Sequence, residues 1–251
     1  MLSDARRKRR PRPPAPLKAA PVALGATLGF EIAGVPVEAQ PEGALWLGEM
    51  RALIVSDLHL EKGSSFAVRG QMIPPYDTRA TLKRIEAVMA RLAPDIVISL
   101  GDGFHDRGGP FRMGPEDRAQ LRTLVERVDW VWIEGNHDPE IPAALGGRSL
   151  DVLSLGALTL RHEPTEASAP GEIAGHLHPC ARVASRGRSV RARCFATDGS
   201  RLVMPAFGAY TGGLNLCDEA FAPVFPHGAN ALLLGRGRVY PAMASRLIPD
   251  A

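Results

Sequence analysis

Three short apolar runs constrain this chain more than anything else in it. Each stops at side chains that bind metals, and a helical pattern separates one run from the next. Leu53-Ile54-Val55 leads into Ser56-Asp57-Leu58-His59. Ile96-Val97-Ile98-Ser99-Leu100 leads into Gly101-Asp102, and Trp130-Val131-Trp132-Ile133 into Glu134-Gly135-Asn136-His137-Asp138. Branched and aromatic residues at this density read as buried strands. After His59, Glu61-Lys62-Gly63-Ser64 leads into a loop that reaches Pro74-Pro75. After Asp77, which reads as an N-cap, Leu82, Ile85, Met89 and Leu92 recur at helical spacing until Pro94. Pro115 opens a second helix with Glu116 and Asp117 in its first turn and Leu121, Leu124, Val125 and Val128 on its inner face. Strands joined by helical crossovers run parallel. Ligands of open α/β sheets collect outside the carboxyl ends of the strands, and here each of those ends carries Asp, His or Asn. In an extended chain Asp57 and His59, at i and i+2, point the same way and reach one spot beyond the first strand.

The remainder of the chain is predicted to be strand and turn. Leu24 to Val37 alternates loosely and suggests an opening strand or hairpin, and Leu45-Trp46-Leu47 a short edge strand. Trp130 and Trp132 alternate with Val131 and Ile133, which reads as sheet packing rather than a base-stacking platform. Beyond Pro142 no strong helical pattern remains. Leu158-Thr159-Leu160-Arg161 ends in His162, and Glu172-Ile173-Ala174-Gly175 ends in His176-Leu177-His178, a second i, i+2 pair. Short strands follow near residues 190–195, 201–204, 231–234 and 239–240. This pattern predicts a second sheet packed on the first, with helices outside.

Asp57, His59, Asp102, Asn136, His162, His176 and His178 together offer nitrogen and oxygen donors. They are too many for one tetrahedral zinc and suit two ions sharing a bridging ligand. Mixed carboxylate, imidazole and amide donors favour Mn, Fe, Zn or Co over the all-oxygen sites of Ca and Mg. Two such ions ~3.5–4 Å apart clamp an in-line displacement at phosphorus.

The 251 residues suffice for one large domain with a full core or two small ones. No apolar run approaches the ~20 residues that span a bilayer. The cysteines Cys180, Cys194 and Cys217 are odd in number and lack metal-binding spacing, which fits a reducing cytoplasm. The net charge of +3 hides an asymmetry. Residues 1–18 carry seven basic side chains and one acid, leaving 23 basic and 26 acidic residues elsewhere. Pro11, Pro13, Pro14 and Pro16 keep that terminus unfolded. It reads either as a nucleic-acid-seeking arm or as a solvated terminus. As a secretory signal it is poor, because prolines, glycines and Glu31 interrupt the apolar stretch.

The series Asp57-Leu58-His59, Gly101-Asp102, Gly135-Asn136-His137-Asp138, His162 and Gly175-His176-Leu177-His178 resembles the calcineurin-like metallophosphoesterases in motifs and order. The resemblance implies a four-layer αββα sandwich. It implies that Asp57, His59 and His178 bind a first metal, that Asn136, His162 and His176 bind a second, and that Asp102 bridges both. His137 would contact the phosphate and protonate the leaving oxygen, oriented by Asp138. Further strings, Leu60-Glu61-Lys62-Gly63, Gly103-Phe104-His105-Asp106, Pro179 after His178, and Pro205-Ala206-Phe207-Gly208-Ala209-Tyr210-Thr211-Gly212-Gly213, resemble the bacterial ligase-associated DNA-damage-response endonucleases of the PdeM type. That likeness covers most of residues 45–215 and implies DNA as the substrate, with a DNA ligase and helicase as partners; of the ions the donor set favours, manganese is expected, with Fe, Zn or Co as alternatives.

Protein phosphatases of this fold carry Gly-Asp-x-Val-Asp-Arg-Gly. Here Gly101-Asp102-Gly103-Phe104-His105-Asp106-Arg107-Gly108 is one residue longer, which argues against a phosphoprotein phosphatase and shifts Arg107. His105, Asp106, Arg107 and Lys62 are candidate phosphate contacts. For His105 and Asp106 the alternative is a loop cap; for Lys62, and for Arg69 beside it, solvated surface. The predicted organisation is a disordered basic tail over residues 1–20 and a single metallophosphoesterase domain over 21–251. The expected function is a two-metal phosphodiesterase, an endonuclease linked to DNA repair. A nucleotide or cyclic-nucleotide phosphoesterase is the alternative, and a non-catalytic scaffold of the same fold comes last.

Overall fold

The structure, a computed structural model, describes residues 26–138, 141–166, 168–185 and 187–250. The expected basic tail, residues 1–20, lies outside the described residues. The chain opens with a hairpin, β1 (Leu28–Ile32) and β2 (Val35–Ala39), followed by β3 (Leu45–Leu47) and β4 (Ala52–Ser56), each antiparallel to the strand before it. Two helices follow, α1 (Lys62–Val68) and α2 (Asp77–Leu92), then β5 (Ile96–Leu100). The one-turn α3 (Gly109–Arg112) and α4 (Pro115–Val125) lead to β6 (Asp129–Ile133), and β7 (Arg148–Leu150) completes the first sheet. β4, β5, β6 and β7 are parallel neighbours, as expected of the crossover helices. Leu45–Leu47 is not an edge strand: it pairs β2 on one side and β4 on the other.

The second sheet is built from β8 (Val152–Leu155), β9 (Leu158–Arg161), β10 (Glu172–Ala174), β11 (Pro179–Ser185), β12 (Arg188–Thr197), β13 (Leu202–Val203), β14 (Leu214–Asn215), β15 (Asn230–Gly235) and β16 (Arg238–Ala242). β9, β10 and β13 run parallel. The long pairings β11–β12, β12–β15 and β15–β16 are antiparallel.

Side-chain alternation along the strands explains the layers. One face of the first sheet presents Ala52, Ile54, Ile98, Leu100, Val131 and Ile133. They pack with Leu160, Ile173, Phe195 and Leu232 of the second sheet to form the central core. The opposite face presents Leu53, Val55, Val97, Trp130 and Trp132 to Leu82, Ile85 and Met89 of α2 and Leu121 and Leu124 of α4. Both tryptophans are buried there, as sheet packing requires. The outer face of the second sheet is covered by Leu216, Phe221, Val224 and Phe225, from a segment whose only helix is the short 3-10 turn Glu219–Phe221. The result is an α/β sandwich with a thick helical layer on one side and a thin irregular one on the other.

Two local expectations change. Asp77 is the first residue of α2 rather than its cap, and its carboxylate accepts from the Gly63 amide at 3.1 Å. The segment after Glu61 is a helix, α1, rather than a loop. The contact from Asp77 ties the start of α1 to the start of α2. Among the described residues no helix is long and apolar enough to cross a membrane.

Candidate metal centre

The candidate donors stand where the strands end. Asp57 and His59 follow β4, Asp102 follows β5, Asn136 and His137 follow β6, His162 follows β9, and His176 and His178 follow β10. The sandwich brings two sheets' carboxyl ends to one place. The backbone is not extended there. Asp57, His59, Asp102, His176 and His178 have φ of 51°, 42°, 45°, 67° and 44°, in the left-handed region that side chains with a Cβ disfavour. Convergence of the two i, i+2 pairs therefore comes from left-handed turns, not from the strand geometry the sequence suggests. Such conformations cost on the order of 1–3 kcal/mol each and persist where surrounding bonds hold them. Here His59 N–H donates to the Asp102 carbonyl (2.8 Å), Gly208 N–H to the Asp57 carbonyl (3.1 Å) and Leu214 N–H to the His178 carbonyl (3.0 Å). Close approach also limits side chains. A Cβ on Gly101 would overlap the His162 ring, and one on Gly175 would overlap Ser56 Oγ and the Asp57 carboxylate.

Asp57, His59, Asp102 and His178 form one donor group, each offering an atom within 4.8 Å of the others. His178 Nε2 lies 3.1 Å from Asp57 Oδ1 and 3.2 Å from His59 Nε2, and His59 Nε2 lies 3.7 Å from Asp102 Oδ2. Donors at ~2.0–2.2 Å from a shared ion lie about 3–3.5 Å apart. Burial pushes the His59 imidazole down to about 3, so it stays neutral with a lone pair to offer. Burial would raise Asp57, but the hydrogen bond and charge of His178, with help from His162 and Ser56, hold it below the ordinary range. Ser56 Oγ–H donates to Asp57 Oδ2.

The second group is Asn136, His162 and His176. Asn136 Oδ1 lies 2.9 Å from His162 Nε2 and 3.1 Å from His176 Nδ1, and those two nitrogens lie 3.2 Å apart. His162 Nδ1 faces the Leu100 carbonyl at 3.1 Å. Donating its Nδ1 proton there leaves Nε2 as a bare lone pair, the arrangement typical of a metal-binding histidine. Asn136 Oδ1 and His162 Nε2 then both turn lone pairs toward His176 Nδ1, and with its proton on Nε2 His176 adds a third donor atom to the set. The donor set therefore fits a divalent ion at each group. Asp102 links them: its Oδ2 faces His59, and its Oδ1 lies 3.5 Å from His162 Nε2.

Glu163 joins His162 and His176 within ligand range. Sequence reading passed over it, although a carboxylate adjacent to a ligand histidine was the available signal. Ser56, next to Asp57, was missed in the same way.

His137 lies beside the two groups, its ring within ligand range of His59 and His105. Its amide donates to Asp102 Oδ1 (3.0 Å), its Nε2 lies 3.9 Å from Asp102 Oδ2, and its Nδ1 faces the His105 carbonyl at 2.9 Å. The orienting partner is thus a backbone carbonyl, not Asp138. Asp138 turns inward, where its Oδ2 accepts from the Phe104 amide at 2.7 Å. Burial, with the nearby charges of Asp102 and Asp57, pushes Asp138 up to about 8 against the pull of the Phe104 and Gly103 amides.

Of the candidate phosphate contacts, His105, Asp106 and Arg107 line a cleft with Arg69, Asn136 and His137. The Asp106 carboxylate is committed to Arg112 (2.8 Å) and to the Gly108 amide (2.8 Å), which is the loop-capping alternative. His105 stacks on His137 with ring centroids 5.6 Å apart. Burial, with Lys62 and His137 close by, lowers its pKa to about 4. Lys62 starts α1, and its pKa is lowered by partial burial.

The chain has recognisable relatives. The family model for calcineurin-like phosphoesterases matches residues 50–180, which include every donor named above. The crystal structure of the nuclease MPE from Pseudomonas putida aligns with a TM-score of 0.66 at 30% identity, covering 86% of this chain and 99% of that one. Yfce, a phosphoesterase from E. coli, aligns with a TM-score of 0.39 at 16% identity over 77% of this chain and 98% of that one. No curated protein matches the chain in sequence.

Proposed function

We propose that this chain, which belongs to the calcineurin-like phosphoesterase family, is a two-metal phosphodiesterase that cleaves DNA. One observation carries the reading: two donor groups, Asp57/His59/His178 and Asn136/His162/His176, meet at a single shared carboxylate, Asp102. In this reading each group would hold one divalent ion, with Asp102 as a ligand available to both. Bound ions would activate water as Lewis acids and neutralise charge on the phosphate oxygens. His137 contacts the phosphate. The His105 carbonyl fixes its Nδ1–H, so Nε2 faces the substrate and, in the imidazolium form, passes its proton to the leaving oxygen. Arg107, with Arg69, supplies positive charge beside that position.

DNA as substrate is supported by the nuclease neighbour and by the motif resemblance. Within the proposal the ion is manganese, the setting is DNA repair in the cytoplasm alongside a DNA ligase and a helicase, and residues 21–251 act as one domain behind a basic tail. The test is hydrolysis of supercoiled plasmid and of bis-p-nitrophenyl phosphate with Mn²⁺, using Asp102→Ala as control. Nicking by the native chain but not by the variant is the expected result. Hydrolysis of the small diester alone would overturn the DNA assignment, and activity in Asp102→Ala would overturn the two-metal reading.

A further inference from the structure

Asn136 stands between two clefts of opposite charge. On one side the cleft beneath α1 is lined by Arg69, Arg107, His105 and His137. Arg69 and Arg107 are exposed, and neither forms an ion pair among the described residues. Arg112, also on that wall, is already neutralised by Asp106. On the other side the cleft beside His162 is lined by Glu134, Asp151 and Glu163. All three acids are exposed and make no ion pair among the described residues. The arginine among them, Arg161, lies 3.7 Å from the buried Glu172.

The proton donor belongs to the basic side. His137 lines that cleft, and its ring stacks on His105, which stacks in turn on Phe66 of α1 with centroids 5.9 Å apart. The α1 wall and His137 thus form one packed unit. In an in-line displacement the leaving oxygen departs on the side of the group that protonates it. From these placements we infer that the strand is held asymmetrically. The fragment that leaves runs over the Arg69/Arg107 cleft with its phosphates bound. The fragment that keeps the new terminal phosphate passes Glu134, Asp151 and Glu163 with no phosphate contact. The inference rests on the phosphodiesterase reading above and adds to it a direction.

Short oligonucleotides with one cleavable linkage test it. Their flanking linkages are charged phosphorothioates on both sides, or neutral methylphosphonates on one side only. Product-end analysis identifies the leaving fragment. Neutral linkages in the leaving fragment should raise KM by about tenfold, and those in the other fragment should change it by no more than about twofold. The double variant Arg69→Ala/Arg107→Ala should erase that difference. Equal effects on both sides, or a larger effect on the acidic side, would overturn the inference and leave the DNA reading intact. Hydrolysis of bis-p-nitrophenyl phosphate with no cleavage of any oligonucleotide would overturn both.

Discussion

The two donor groups of the centre hold similar ligands in different surroundings. Asp57 and His59 are buried, at 0% and 5% exposure, and a loop from Pro205 to Gly213 closes behind them. Phe207 N–H donates to the Ser56 carbonyl and Gly208 N–H to the Asp57 carbonyl. Arg84 donates to the Phe207 carbonyl and lies over its ring, and Arg193 donates to the Ala206 carbonyl. The other group faces outward. Asn136 is exposed, His176 is half-buried as His178 of the first group is, and only His162 is as enclosed as Asp57 and His59. Enclosure suppresses water competition for a bound ion, so equal donors need not give equal affinity. On the two-metal reading, the Asp57 group would retain its ion and the Asn136 group would exchange its own.

The largest effect expected is the one that removes the shared ligand. Asp102→Ala should lower turnover by about 10³-fold or more and reduce the bound metal at both groups, read by steady-state rates and elemental analysis. Next, His59→Ala and His176→Ala should separate the groups. The first should remove the tightly held ion, and the second only the exchangeable one, leaving the other still detectable by calorimetric Mn²⁺ titration. If the two variants titrate alike, the contrast between the groups fails.

Supporting residues should matter less. Ser56→Ala withdraws the hydroxyl that bonds Asp57, and Arg84→Met withdraws the clamp on the loop behind it. Each should weaken the first ion by about 10–100-fold, as loss of a partner to a metal ligand does, with little change at the second. The smallest effect is expected at Asp138. Because the His105 carbonyl orients His137, Asp138→Asn should keep kcat within about tenfold, since the amide oxygen can still accept from Phe104. A loss near ~10⁴-fold, as when a carboxylate that orients a catalytic histidine is removed, would reinstate Asp138 in that role.

The first sheet was legible because its pattern is local. β4, β5 and β6 are apolar runs whose alternation survives in the structure, and their ends announce Asp57, Asp102 and Asn136. The second sheet was legible only as a set of short strands. β9, β10 and β13 pair across loops, and no local pattern encodes those partners. The left-handed turns at Asp57, His59, Asp102, His176 and His178 left no trace, since none is glycine. They are imposed by hydrogen bonds from residues as distant as Gly208 and Leu214. The same distance hid the role of Pro205–Gly213, which braces the first group through partners far away in sequence. α1 was missed because Lys62–Val68 is short and has no side-chain cap. The inward turn of Asp138 was missed because adjacency in sequence to His137 does not fix where a side chain points.

The most direct test of the unequal two-metal centre is stepwise removal of Mn²⁺ by a chelator, followed by counting the ions retained per chain. Two ions lost in two separated steps, with only the first step abolished by His176→Ala, is the predicted result. A single ion per chain, or two lost together with no response to His176→Ala, would contradict it.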